Sequence, residues 1–445
     1  MGRARYRRVV DALASDIRSG TLAPGARLPT HRELAACEGL ALATASRVYA
    51  ELAALGLVSG ETGRGTFVRA LTVPPSHGID QPAVAADVID MNFNSPALAE
   101  QADLLRTALR DLAARGDVAA LLRYQPHAGQ PHERSVIAEH LRERGLHADP
   151  KHVLIVSGAQ HGLAVTVLAA LKPGDVVAVD ALTYPGFKVL AEAHQLELVP
   201  LPAASDGSDL DALERLCAAE SVRAIYTMPT MHNPLSWISP ADWRERLTAI
   251  ARRHRLLVIE DAAYAFLAED PPPPVAALLP ESTVYISGLS KSVATGLRFG
   301  FLRAPADLVA PIERAIRATT WNAPPLVTAI ATSWIEDGTV ARLEAAKRGD
   351  ARHRNAVARA ILTGHDLVGH PSSYILWLPL PADVRPDQVV ADLLDHRVAA
   401  TTAEPFATTG HTPRALRLAL GSVEIDQLER ALQTVAEIVD DHTYR

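Results

Sequence analysis

Hydrophobic positions in the first seventy residues follow the spacing of helices and then of short strands. The predicted elements, in chain order, are a helix over residues 6–20, a second helix that starts at Thr30, a third over residues 43–55, and two short β segments within residues 57–68. Thr30 and Glu33 have the spacing of a capping box, which marks the start of the second helix. Three helices followed by a β hairpin predict a winged helix.

The rest of the chain alternates short β-rich runs with segments of helical length. The runs are residues 153–156, 176–179, 197–201, 224–228, 256–260, 283–287 and 299–302. Runs that are apolar on both faces and separated by helices predict a mainly parallel sheet with helices on both sides, an α/β fold. From about residue 307 the pattern is helical, with strand-like runs at 374–379 and 415–420, which indicates a smaller α+β lobe at the C-terminal end.

A change in composition near residue 71 separates these two regions. Residues 71–82 contain three prolines and a glycine and show no hydrophobic period, so they are typical of an extended linker. We therefore predict a small domain over residues 1–70, a linker over 71–88 and a large domain over 89–445.

Composition narrows the class of protein. The 445 residues are 48% hydrophobic and 21% charged, which excludes wholesale disorder, collagen and coiled coil. Cys37 and Cys217 are too few for a disulfide framework, and no apolar run approaches the length that crosses a bilayer. No signal peptide is recognisable at the start, so we expect a reducing, cytoplasmic setting without membrane contact.

Charge is distributed unevenly along the chain. The formal net charge of −7 divides into +4 over residues 1–70, which contain ten arginines and no lysine, and −11 over the remainder. A basic head thus precedes an acidic body. The histidines offer no metal site, because His127, His132 and His353 lack the paired spacing with cysteine or carboxylate that metal ligation needs.

Chemically suggestive residues follow several of the predicted strands. Lys291 comes just after a strand among small residues, and Arg298 stands seven positions further on. A lysine in an apolar site has its charged form disfavoured, so its amine is available to form a Schiff base. Asp261 ends the preceding strand, and polar or glycine-rich segments follow others, at residues 157–162, 180–186 and 229–234. Because these segments follow strands of one sheet, they can converge on one edge.

Together these segments closely resemble the fold-type-I, pyridoxal-phosphate-dependent aminotransferases of class I/II, from about residue 91 to the C-terminus. The resemblance implies that Lys291 binds the cofactor covalently and that Asp261 pairs with the pyridinium nitrogen, so that the ring acts as an electron sink. It implies further roles for the remaining positions: Asn233 and Tyr264 as donors to the phenolic oxygen, Tyr184 as the ring-stacking aromatic, and Gly158, Ala159, Gln160, Ser290 and Arg298 as the phosphate-binding group.

The same resemblance implies two contacts beyond the cofactor. Arg417 matches the arginine that grips a substrate α-carboxylate, and Tyr124 matches a tyrosine that reaches the phosphate of the partner subunit, which implies a homodimer. The chain departs from the family at Gly288 and Ala159, where relatives often have a hydroxyl residue. We expect somewhat weaker phosphate binding from those two changes.

Residues 6–69 resemble the GntR winged-helix DNA-binding domain, through the segments at residues 20–35, 43–52 and 63–68. The resemblance implies that the third helix enters the major groove of double-stranded DNA while arginines and backbone donors hold phosphates. The candidate contacts are Arg32, Thr44, Arg47 and Arg64. Relatives commonly begin the recognition helix with a hydroxyl and a basic residue, where this chain has Ala41 and Leu42, so base specificity cannot be carried over.

A GntR head on an aminotransferase body resembles the MocR regulators. That resemblance implies a head-to-tail homodimer that senses pyridoxal phosphate (PLP), or an amino acid or amine that condenses with it, and repositions its DNA-binding heads. Two alternatives remain open at this stage: a working aminotransferase with an accessory head, and a chain in which the cofactor only stabilises the dimer.

Overall fold

The computed structural model describes residues 2–18, 21–22, 26–54, 57–61, 65–68, 87–115, 117–205, 207–410 and 412–444. The chain forms two compact units, Met1–His77 and Gly78–Arg445. Gly20, Arg64, residues 69–70 and residues 71–86 of the predicted linker lie outside the described residues. No helix within the described residues is long and apolar enough to cross a membrane.

The small unit contains three helices and a hairpin. Its elements are α1 (Gly2–Arg18), α2 (His31–Glu38), α3 (Leu42–Ala54), β1 (Val58–Glu61) and β2 (Gly65–Val68). Strands β1 and β2 pair antiparallel, with Val58 opposite Val68. Val10 of α1 and Val48 and Leu52 of α3 are fully buried, so the apolar stripes that predicted these helices face one another in a single core. The sequence-based prediction of a winged-helix head is confirmed.

The predicted capping box at the start of α2 is present. Glu33 N donates to Thr30 Oγ1 at 3.3 Å, and Thr30 N donates to Glu33 Oε2 at 2.7 Å. These bonds satisfy two of the amides that a helix start leaves free, and they hold the pKa of Glu33 below its usual value.

We expect Thr30→Ala to destabilise α2 by about 1 kcal/mol, because alanine offers no oxygen to the first-turn amides. Hydrogen exchange of the amides of residues 31–38 measures this loss. Cys37→Ala, an exposed change on the same helix, is the control and should leave exchange nearly unchanged. Equal protection in the Thr30→Ala and Cys37→Ala proteins would contradict the capping role.

The large unit contains a central sheet and a terminal lobe. Its strands are β3 (Ile89–Asp90), β4 (Val153–Val156), β5 (Val176–Asp180), β6 (Glu197–Leu201), β7 (Ala203–Ala204), β8 (Gly207–Ser208), β9 (Val222–Thr227), β10 (Leu257–Asp261), β11 (Thr283–Gly288), β12 (Gly300–Arg303), β13 (Ile375–Pro379), β14 (Val398–Ala399), β15 (Thr401–Thr402) and β16 (Ala415–Ala419). Its helices are α4 (Gln101–Arg115), α5 (Val118–Leu121), α6 (Pro131–Arg142), α7 (Ala159–Ala170), α8 (Pro185–Ala193), α9 (Leu210–Ala219), α10 (Ala241–His254), α11 (Val275–Leu278), α12 (Leu289–Ser292), α13 (Ala306–Thr319), α14 (Pro325–Glu336), α15 (Thr339–Ile361), α16 (Pro386–Asp395) and α17 (Ile425–Tyr444).

The central sheet has the order β4-β12-β11-β10-β9-β5-β6. Its strands run parallel except β12, which is antiparallel to both of its neighbours. Each predicted strand is present within two residues of its expected limits, and the predicted mainly parallel α/β fold is confirmed. The antiparallel direction of β12 was not foreseen, because a buried apolar run has the same composition in either direction.

Helices cover both faces of the sheet. On β10, Ile259 packs into the core beneath α7 and α13, while the adjacent Val258 packs into the core beneath α9 and α10. Consecutive strand residues point to opposite faces, which is why an uninterrupted apolar run is needed here. The C-terminal lobe is an antiparallel sheet of order β13-β16-β15 that packs against α17 through Leu416, Leu418 and Leu428.

Candidate functional site

The carboxyl ends of the parallel strands bring the predicted chemical residues to one edge of the sheet. Asp261 is the last residue of β10, and Lys291 lies on α12, directly after β11. Asn233 lies in the loop after β9, Tyr184 precedes α8 after β5, and Gly158 precedes α7 after β4. Parallel strands end on the same side of a sheet, so the order found in the sequence becomes a cluster in space.

Lys291 points toward a backbone carbonyl rather than a carboxylate. Its Nζ donates to Asn94 O at 2.6 Å and lies 5.9 Å from the centre of the Tyr264 ring. Asn94 also accepts a bond from Gly421 N through its Oδ1, at 3.1 Å, so it touches both the lysine and the segment after β16. The amine is thus held by one neutral acceptor and is close to the aromatic ring of Tyr264.

A second lysine supports the turn that carries Lys291. Lys347, on α15, is fully buried, and its Nζ donates to Lys291 O at 3.2 Å and to Val293 O at 2.6 Å. Burial lowers the pKa of Lys347 to about 8, because an ammonium loses hydration in this apolar setting. Sequence reasoning missed Lys347, because a lysine inside a polar helical segment resembles a surface residue.

Asp261 is buried, and both of its carboxyl oxygens accept hydrogen bonds. Ala263 N donates to Oδ1 at 3.0 Å, and Tyr226 OH donates to Oδ2 at 2.9 Å. Burial raises the pKa of Asp261, and the two donors oppose that rise. Tyr226 was also missed from sequence, since only the pairing of β9 with β10 brings it near Asp261.

Tyr184, Tyr264 and Arg298 interact electrostatically around Asp261. Burial raises the pKa of Tyr184 to about 12, the charge of Asp261 and the phenol of Tyr264 add to the rise, and Arg298 opposes it. Electrostatic effects weaken with distance in a protein, so these show that residues beside three strands, β5, β10 and β12, meet in one place.

The start of α7 provides a small-residue cradle. Gly158 has φ of 87°, and a Cβ there would lie 2.9 Å from an Arg298 guanidinium nitrogen. A Cβ on Gly300 would lie 2.5 Å from the Gly158 backbone. The backbone therefore approaches closely beside Ala159 and Gln160, whose amides open the helix, and helix starts of this kind bind anions.

The buried polar atoms in and beside this cradle that lack a hydrogen-bond partner among the described residues include Gln160 Oε1, Ser290 Oγ and Asn233 Oδ1. Unpaired buried polar groups are costly unless a ligand or water satisfies them. A phosphate next to Ser290 and Arg298 and a ring oxygen next to Asn233 would meet that need, so the residues present fit a phosphorylated pyridine cofactor.

Arg417 lies on β16 and is buried, and one nitrogen of its guanidinium has no hydrogen-bond partner among the described residues. Nη1 donates to Asn92 O at 2.5 Å, the guanidinium carbon lies 5.8 Å from the centre of the Phe406 ring, and Nε has no partner among the described residues. Burial lowers the pKa of Arg417, with the neighbouring Tyr264 opposing this effect. A buried arginine whose Nε is unpaired among the described residues suits a carboxylate ligand.

Tyr124 lies apart from the buried cluster within the single chain. Its side chain is 84% exposed, and its ring lies 5.5 Å from the Trp321 ring, which is itself 40% exposed. The predicted contact of Tyr124 with the cofactor phosphate bound by the partner subunit stays a prediction.

In the small unit, Arg32 on α2 and Arg47 on α3 are exposed, and Thr44 on α3 is half-buried. The Arg47 guanidinium lies 5.1 Å from the centre of the Tyr6 ring on α1, while the side chain remains exposed. Arg64 lies outside the described residues. The roles of these residues toward DNA stay predictions.

Residues 86–435 match the family Aminotransferase class I and II, and residues 5–68 match the family Bacterial regulatory proteins, gntR family. The chain belongs to the class I and II aminotransferase family. This family is dependent on PLP, and here its fold follows a gntR-family head, so the predicted MocR-type architecture is confirmed.

One relative aligns with both parts of the chain, and another aligns with about three quarters of it. The uncharacterized HTH-type transcriptional regulator YdeF of Bacillus subtilis is 27% identical over 440 residues, which cover 98% of this chain and 95% of YdeF. The probable rhizopine catabolism regulatory protein MocR of Rhizobium meliloti is 28% identical, covering 75% of this chain and 72% of that protein. Among solved structures, LysN, an α-aminoadipate aminotransferase from Thermus thermophilus, has a TM-score of 0.74 at 23% identity, covering 81% of this chain and 94% of LysN. That structural likeness shows the fold.

Proposed function

We propose that this protein is a transcription regulator of the MocR/GntR type, whose head binds double-stranded DNA and whose body binds PLP and senses PLP or an amino compound. One observation carries the proposal: the buried Asp261 lies in a cluster with Tyr184, Tyr264, Lys291 and Arg298, on the same chain as a gntR-family winged helix. The architecture matches YdeF along nearly the whole length of both chains.

The cluster offers a separate contact for each part of the cofactor. Arg298, Ser290 and the first amides of α7 would hold the phosphate, Asp261 the ring nitrogen, Asn233 and Tyr264 the phenolic oxygen, and Tyr184 the ring face. When bound, PLP supplies an aldehyde that captures amines and a ring that withdraws electrons. Lys291 and an effector amine would compete for that aldehyde.

Arg417 makes an amino acid the favoured effector class. Its unpaired Nε would bind an α-carboxylate while the effector amine displaces Lys291. A released Lys291 can donate to Asn94, which also holds Gly421 beyond β16. The effector can shift a two-state equilibrium only if it binds the two states unequally. Contacts with Arg417 on β16 and with the Lys291 turn would provide such a difference.

A homodimer, head-to-tail, completes the proposal. The exposed rings of Tyr124 and Trp321 form an aromatic pair on the surface of the large unit. Exposed aromatic residues are enriched at protein interfaces, which supports a second copy of the chain at this face.

Electrophoretic mobility shift with the DNA upstream of the protein's own gene, with and without PLP, tests the regulator function. We expect specific binding whose affinity or pattern changes with PLP and an effector amine. Arg47→Ala should weaken DNA binding and lower, by about one, the slope of log affinity against log salt concentration. Arg430→Ala, at an exposed arginine on α17, is the control and should change neither quantity. Absence of specific binding under both conditions would remove the regulator proposal.

A working aminotransferase is the second candidate, favoured by the intact set of Lys291, Asp261 and Arg417. A panel of amino acids, followed by a keto acid, distinguishes it. Rapid formation of the keto acid product and regeneration of the starting cofactor form would favour the enzyme. Binding that changes the DNA complex without turnover would favour the regulator.

For Arg417→Met we expect α-amino acid binding to weaken by roughly 30-fold or more, because truncating one side of a buried charge pair costs about 2–5 kcal/mol. Calorimetry on the PLP-loaded protein measures this change. The matching decarboxylated amine is the control ligand, and its affinity should be nearly the same for both proteins. An equal loss for both ligands would contradict a carboxylate-specific role.

A further inference from the structure

Tyr226 is a fully buried tyrosine whose hydroxyl touches the carboxylate that would meet the cofactor ring. On β9 it lies opposite Ile259 of β10, so its side chain is on the same face of the sheet as Ile259 and Asp261. Its ring stacks on Phe187 at 3.9 Å between centres and 5° between planes. This stacking fixes the ring and directs the hydroxyl to Asp261 Oδ2 at 2.9 Å.

The Tyr226 hydroxyl donates the hydrogen bond to Asp261, because an ionised carboxylate has no proton to donate. Ala263 N donates to the other carboxyl oxygen at 3.0 Å. Hydrogen bonds to a carboxylate stabilise its ionised form, and burial acts in the opposite direction. Tyr226 is therefore the side-chain donor that favours the negative charge on Asp261 inside the core.

We propose that Tyr226 is a positioning residue that determines where the proton shared by Asp261 and the cofactor ring nitrogen resides. This inference rests on the proposed PLP binding. With the Tyr226 hydroxyl donating to Oδ2, Asp261 is a weaker base, and the proton stays on the ring nitrogen as a pyridinium–carboxylate pair. Without the hydroxyl the same proton moves to the carboxyl oxygen, which leaves a neutral acid and a neutral ring. No proton is gained or lost in the exchange.

Other titratable groups approach this pair from the surrounding elements. They are Tyr184 before α8, Tyr264 after β10, Arg298 before β12, Asp180 at the end of β5, His232 in the loop after β9 and Lys291 on α12. Asp180 is engaged by Ser208 Oγ and lies 3.4 Å from His232 Nε2, so it has partners of its own. Among the described hydrogen bonds, Tyr226 alone joins a side chain to Asp261.

The test compares Tyr226→Phe with Tyr285→Phe, which removes the same atom from another buried tyrosine. Tyr285, on β11, lies opposite Glu260, and consecutive residues of β10 point to opposite faces, so Tyr285 is on the far side of the sheet from Asp261. Both changes preserve the aromatic ring. Only the first removes the donor to Asp261.

The first readout is thermal stability against pH in the protein without cofactor. The pKa of Asp261 is raised above its unfolded value, so this group favours the folded state at low pH, and that contribution is lost as pH rises through the folded pKa. Removing the Tyr226 hydroxyl raises that pKa further. The melting temperature of Tyr226→Phe should therefore fall below that of the parent at neutral pH and approach it in acid. A loss that is independent of pH would overturn the inference.

The second readout is the ring nitrogen itself, observed by NMR with ¹⁵N-labelled PLP. We expect the pH at which that nitrogen loses its proton to fall by about one to two units in Tyr226→Phe, since a hydrogen bond to a charged group is worth about 1.5–3 kcal/mol. Tyr285→Phe should show the parental value. An unchanged nitrogen signal in Tyr226→Phe overturns the inference while leaving PLP binding intact. Failure of the parent protein to bind PLP overturns the proposed function instead, and the stability measurement still reports on the Tyr226–Asp261 contact.

Discussion

Lys291→Ala is expected to abolish covalent retention of PLP. Borohydride reduction of the PLP-treated parent should add the cofactor mass to the peptide that contains Lys291, and the variant should show no such adduct. The reason is geometric: among the residues of the proposed site, Lys291 supplies the amine, and its Nζ lies beside Tyr264 with one neutral acceptor, Asn94 O. A primary amine so placed can attack a carbonyl carbon once it has lost its proton.

Peptide mapping shows which lysine carries the cofactor adduct. Lys188 and Lys347 are natural competitors, because burial lowers the pKa of each to about 8 and so increases the neutral fraction of each amine. Each is already engaged by two backbone carbonyls. Lys172→Ala, at an exposed lysine, is the control and should retain the adduct. An adduct on Lys188 or Lys347 in the parent would contradict the assignment of Lys291.

Arg244→Met should cause the largest loss of stability among substitutions outside the cofactor cluster. Arg244 is fully buried on α10, and its guanidinium donates to four oxygens: Ser239 O, Pro273 O, Pro229 O and Thr230 Oγ1. The negative charge of the buried Glu260 also lies nearby. Removing one member of a buried ionic network costs about 3–5 kcal/mol, because its partners stay buried without compensation.

Denaturant unfolding of the large unit measures this loss. Arg252→Met is the matched control, since Arg252 lies on the same helix but is half exposed and pairs with the exposed Glu281. Exposed pairs of this kind contribute about 0–1 kcal/mol. Because Arg244 holds Pro229 and Thr230, four and three residues before Asn233, its loss should also weaken PLP binding. Similar stability of the two variants would contradict a structural role for Arg244.

Local patterns in the sequence were sufficient for much of the fold. The strands that end at Asp261 and precede Lys291 were predictable because a strand buried on both faces must be an apolar run, whatever its neighbours are. The start of α2 was predictable because Thr30 and Glu33 bond only to their own helical turn. The convergence of Lys291, Asp261 and Tyr184 followed from a topological rule, namely that parallel strands end on one side.

Contacts between residues distant in sequence were not predictable in the same way. Tyr226 and Asp261 are 35 positions apart and meet only because β9 and β10 are neighbours in the sheet. Arg244 stands in a helix rich in charged residues, and its complete burial depends on the loops that fold over it. The reversed direction of β12 likewise depends on its pairing with β4 and β11.

The sequence by itself therefore determined the two-part architecture and its elements, because propensity, periodicity and capping are local properties of a chain. The residues expected to bind the cofactor follow from the family resemblance and stay predictions. The tertiary structure alone decided which buried groups meet: Tyr226 with Asp261, Lys347 with the Lys291 turn, and Arg417 with Asn92. Those contacts arise from strand order and close packing, in which the energy of each polar group depends on partners that only the folded chain brings within reach.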